Sequence, residues 1–96
     1  MTESTAEGGV LYSVLTAPPG GVMTDEVGVI TGELELATRC ASGAVTVWVR
    51  YAGAAEWYRL SGADCHLHDA RDHHPLHSAL VAVLHRPTAH LRGSVP

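Results

Sequence analysis

The segment DCHLHDARDHH, residues 64–74, gathers one cysteine, four histidines and three aspartates into eleven positions. Thiolate, imidazole and carboxylate are the donors that zinc prefers. His66 and His68 are two residues apart, so from an extended chain their rings would project to the same side, about 6–7 Å apart. Cys65 lies beside them, and the strand order argued below carries Cys40 to the same end of the sheet. The candidate donors are therefore Cys40, Cys65, His66, His68 and His73, with Asp64, Asp69 or Asp72 available to complete a set of four.

Two features weigh against a metal. No CxxC or HExxH spacing is present, and in an extended segment Cys65 alternates to the side opposite His66 and His68. His73 and His77 have the four-residue spacing of a helical clamp, but His74 precedes Pro75. A residue before proline is biased away from helical geometry, which places His73 ahead of any helix. The expectation is a solvated connection between sheet and helix, with zinc binding as the alternative.

Other chemistry finds less support. Cys65 and His66 are adjacent and point apart in an extended chain, a poor nucleophile and base pair. Glu33 and Glu35 lie on an open strand near arginines, where carboxylates are solvated charges. The PPGG run is not followed by the lysine and helix of a phosphate loop. The reading leans away from an enzyme, and zinc is the one cofactor it admits.

The 96-residue chain is the size of one domain with one modest core. Apolar residues form 46% and charged residues 17%, a balance that folds. A net charge of −4, with six arginines and no lysine, offers no patch to neutralise phosphates, so nucleic acid is not an expected partner. The sequence has no apolar run long enough to span a bilayer, and the polar, acidic MTESTAEGG start is unlike a secretory signal. A cytoplasmic location with both thiols reduced follows as the expectation. The lack of Lys, Asn, Gln and Phe resembles the bias of a GC-rich bacterial genome.

The elements that would position these groups are read from hydrophobic period. Residues 1–9 are small and polar and are expected to be disordered, 10–86 to form the domain, and 87–96 to form a flexible tail. VLYSVL (10–15) reads as an edge strand that ends at the APPGG cluster. GVITGELELATR (28–39), AVTVWVRY (44–51) and AEWYRL (55–60) alternate with period two, and their short glycine-bearing connections predict an antiparallel meander. Pairing Cys40 with Gly43 and Tyr51 with Ala54 collects Leu34, Leu36, Val45, Val47, Val49, Tyr51, Tyr58 and Leu60 on one face. PLHSALVAVLHR (75–86) carries Leu76, Leu80, Val83 and Leu84 on a helical stripe that would cover that face. The fold class is α+β: a meander of three to four strands with one C-terminal helix packed on one side.

The opposite face then holds Glu33, Glu35, Trp48, Arg50, Trp57 and Arg59. In this register Trp48 and Trp57 are cross-strand neighbours and Glu33 faces Arg50. A two-residue shift of the second hairpin would instead set Trp57 against Arg50, in reach of a cation–π contact. Trp and Arg are the residues enriched at binding hot spots. The functional expectation is a small binding or accessory domain that self-associates, as a homodimer, and uses this face for a protein partner or an apolar small molecule.

Overall fold

The computed structural model describes residues 9–86; the expectations of a disordered start and a flexible tail lie outside the described residues, apart from Gly9. Among the described residues, seven strands run β1 (Val10–Thr16), β2 (Val22–Thr24), β3 (Gly28–Ile30), β4 (Glu33–Ala41), β5 (Ala44–Tyr51), β6 (Tyr58–Arg59) and β7 (Cys65–His66). A 3-10 turn at Ala70–Asp72 leads into helix α1, His73–Leu84. The main sheet is antiparallel in the order β1-β4-β5-β6, with β7 also on β5, and β2 and β3 form a separate hairpin. The α+β class is as the pattern implied, and VLYSVL is the edge strand, paired along its whole length with β4.

Three expectations are corrected. The first concerns register: Ala41 pairs with Ala44 and Leu34 with Tyr51, two residues from the predicted alignment. The predicted pairing would have put Ala41 and Ser42 in the turn, whereas the observed one uses Ser42 (φ 52°) and Gly43 (φ 82°). A two-residue hairpin turn with both residues left-handed matches strand twist, and glycine fills one of those positions without steric cost. The second hairpin is shifted likewise, with Val49 opposite Tyr58. Because both shifts are even, every side chain keeps its predicted face.

The second correction is to residues 28–39, which are not one strand. The chain breaks at Thr31 and Gly32 (φ 91°), and Gly28–Ile30 turns back on Val22–Thr24. This hairpin buries Val22, Thr24 and Ile30. It is tied to the main sheet by Ser61 N–H donating to Met23 O and Asp25 N–H to Arg59 O. The cover over the inner face is thus shared between helix and hairpin.

The third is the helix. It begins at His73, and Pro75 sits within its first turn, where a missing N–H costs nothing. Leu76, Leu80, Val81 and Leu84 pack against the core, while Val83 is exposed. The core itself is Leu15, Leu34, Leu36, Cys40, Val45, Val47 and Val49 from the sheet with Val22, Ile30 and Leu60 over them. Burying such a side chain contributes roughly 1.5–3 kcal/mol each. Thr38 is wholly buried beside them, and Thr24, His73 and His77 are the other buried polar residues among those described.

Candidate functional site

On the outer face, the register lines up rows across the sheet. Tyr12, Ala37, Trp48 and Arg59 form one row, and Val14, Glu35 and Arg50 the next. Ala37 is the small residue at the centre of the first row, flanked on either side by a large aromatic. It leaves a gap, and Trp57, arriving from the loop before β6, reaches toward it until its ring lies 6.3 Å from that of Tyr12, inclined at 44°. Tyr12, Trp48 and Trp57 thereby wall an open cavity of about 210 Å³ with Ala37 as its lining residue from β4.

The charges around the cavity hold its walls. The Arg50 guanidinium lies over the Trp57 ring, 4.2 Å from its centroid. Its Nε donates to Glu35 Oε1 at 2.6 Å. Glu35 thus fixes Arg50, and Arg50 fixes Trp57, by a cation–π contact of about 0.5–1 kcal/mol at a partly exposed site. Arg59 pairs with Asp64, which also accepts from Val47 N–H at 3.1 Å in the gap between β6 and β7. Arg59 Nε is buried without a hydrogen-bond partner among the described residues.

Of the residues expected here, Trp48, Arg50, Trp57, Arg59 and Glu35 do come together. Glu33 is on the same face but at its far end, accepting from Thr16 Oγ1 at 2.9 Å. Two details are corrected: Trp48 stands opposite Arg59, so the tryptophans are not direct cross-strand neighbours, and Glu35 takes the place expected of Glu33 beside Arg50. Sequence reasoning missed Tyr12 as a wall and Ala37 as the gap. The alternation in β1 marks Tyr12 as facing opposite to Leu11 and Leu15, but only the pairing of β1 with β4 sets it next to Ala37.

The histidine segment is arranged differently. Cys65 and Cys40 stand in one row on either side of Val45, with Cys40 buried and Cys65 exposed. His66 and His68 are exposed. Asp69 caps the 3-10 turn and binds Arg71, whose hydrogen bonds push its carboxyl down to about 2. Among the described residues, no three His, Cys, Asp or Glu side chains converge on one point.

His73 and His77 occupy the same buried face of α1, contrary to the placement of His73 ahead of the helix. His73 Nε2 lies 2.8 Å and His77 Nδ1 2.7 Å from Thr38 Oγ1, and His77 Nε2 lies 2.8 Å from Ser13 Oγ. A hydroxyl has one proton to give, so one imidazole accepts from Thr38 while the other donates to it. Burial lowers both histidine pKa values; the other histidines nearby push in the same direction. The arrangement is a polar staple through the core.

No protein-family model matches the chain, and the comparisons with curated proteins and with solved structures found no match. None of the described helices is long and apolar enough to cross a membrane.

Proposed function

We propose that this chain is a small accessory domain that self-associates and captures a protein partner through the aromatic cavity of its outer face. The carrying observation is the cavity itself: Tyr12, Trp48 and Trp57 around Ala37, enclosing about 210 Å³. Small-molecule sites commonly enclose roughly 300–1,000 Å³. A smaller, open, mostly apolar hollow suits one anchoring side chain of a protein better than a free ligand. The surroundings fit the same use, since binding hot spots favour Trp, Tyr and Arg within a polar rim.

The test is selection of displayed peptides against the folded protein, followed by amide and indole NMR titration with the peptides obtained. Binding should perturb Tyr12, Ala37, Trp48 and Trp57 and be lost in Ala37→Leu, a substitution that fills the hollow. Peptides that bind the Ala37→Leu protein equally well, or a selection that enriches none, would count against the cavity as a docking site.

A further inference from the structure

The main sheet has two margins, and they differ in kind. On the far side, β6 and β7 are two-residue strands separated by the Leu60–Asp64 connection, and the β2–β3 hairpin bonds to that margin through Arg59 O and Ser61 N–H, so it is short, broken and partly taken. On the near side, β1 is seven residues long, paired with β4 without a bulge, and its sequence VLYSVLT has no charge, proline or glycine. Edge strands are normally guarded by those features, because an open row of backbone groups is a template for another strand.

The hydrogen bonds define which part of β1 is open. Gly9 O accepts from Cys40 N–H and Ala17 N–H donates to Gly32 O, so odd-numbered residues turn their backbone groups toward β4. Even-numbered residues therefore turn theirs outward, as antiparallel pairing alternates. Thr16 is already taken: its N–H donates to His85 Nδ1 at 3.1 Å, and its carbonyl accepts from Arg86 N–H at 2.9 Å. Among the described residues, nothing pairs with the outward groups of Val10, Tyr12 and Val14.

We propose that this window is the self-association surface, and that it pairs with the same window of a second copy, antiparallel, about a two-fold axis at Tyr12. The inference rests on the self-association part of the reading above and not on the cavity. The occlusion at Thr16 selects the register. Among self-pairings of β1 that leave Thr16 aside, the one centred on Tyr12 uses all three open residues, setting Tyr12 opposite Tyr12 and Val10 opposite Val14. Aromatic and β-branched cross-strand pairs are favourable, and no charge of β1 meets a like charge. The dyad also puts Arg39 of one copy in the same row as Glu35 of the other, across three strand spacings, or about 14 Å. That contact is largely screened, but its sign is favourable. An edge contact of five residues per copy is small, so the dimer should form with increasing concentration rather than be permanent. It would place two aromatic cavities on one continuous face.

Sedimentation equilibrium over a wide concentration range tests this. The native chain should pass from monomer to dimer, while Val14→Pro, which removes only an outward N–H, should stay monomeric with unchanged circular dichroism. Should that variant fail to fold, Tyr12→Lys and Tyr12→Glu provide the second measurement. Each alone should associate at least tenfold more weakly than the native chain, and an equimolar mixture should recover a dimer, because the dyad sets residue 12 against itself. A native chain that stays monomeric to millimolar concentration, a dimer that survives Val14→Pro, or a mixture that fails to associate would overturn the proposal. The peptide titration is read on the native chain and on Ala37→Leu, so it stands or falls separately from these outcomes.

Discussion

The hydroxyl of Thr38 lies 2.7 Å from Nδ1 of His77, where interior strand β4 meets helix α1. It is also 2.8 Å from His73 Nε2, so one buried hydroxyl ties two turns of the helix to the sheet. In a mostly aliphatic face, this contact, together with that of His77 Nε2 to Ser13 Oγ, fixes how the helix is set along the strand.

Thr38→Val therefore has an outcome opposite to what apolar burial alone suggests. The shape is conserved and the site becomes more apolar, but two imidazole nitrogens lose their partner inside the core. A stranded buried group costs about 1–3 kcal/mol. Urea unfolding should show a loss of at least that size, and Thr38→Ser, which keeps the hydroxyl, should lose less. A valine variant as stable as the native chain would refute the staple.

Stability should fall with acid before the carboxylates titrate. The folded pKa values of His73 and His77 are depressed, first by burial, below their unfolded value near 6.5. Above that pH both states are neutral and nothing is lost. As pH falls below it, the unfolded chain takes up protons that the folded chain resists, and the balance shifts toward unfolding. The urea midpoint should drop between pH 7.5 and 5.5, and the drop should shrink in His77→Gln. A midpoint flat over this range would contradict the assignment.

Arg50 and Trp57 should couple energetically. A double-mutant cycle with Arg50→Met and Trp57→Leu is expected to give about 0.5–1 kcal/mol, the value of a cation–π pair at a partly exposed site. A coupling indistinguishable from zero would mean that Arg50 does not hold the cavity wall.

The two thiols should differ in reactivity. Cys65 is exposed while Cys40 is 2% exposed within the core. A thiol reagent added to the native protein should label one cysteine per chain, identified as Cys65 by mass mapping, and two after denaturation. Rapid native labelling of Cys40 would show that the core opens more readily than its packing implies.

Period-two alternation by itself determined which side of the sheet each residue of β4 and β5 faces, because an error of two residues in register leaves faces unchanged. That is why Leu34, Leu36, Val45, Val47 and Val49 were placed in the core and Trp48, Arg50 and Arg59 opposite them. The helix was legible from its apolar spacing and its proline, though not its first turn, since the bias against helix before Pro75 yielded to the tertiary bonds of His73. What only the tertiary structure decided are the relationships across strands. The Ser42–Gly43 turn chose which acid meets Arg50. The pairing of β1 with β4 brought Tyr12 beside Ala37, and the docking of α1 brought two histidines onto one threonine. Alternation is a property of each strand alone, whereas these contacts depend on how separate segments align, and no local pattern encodes that.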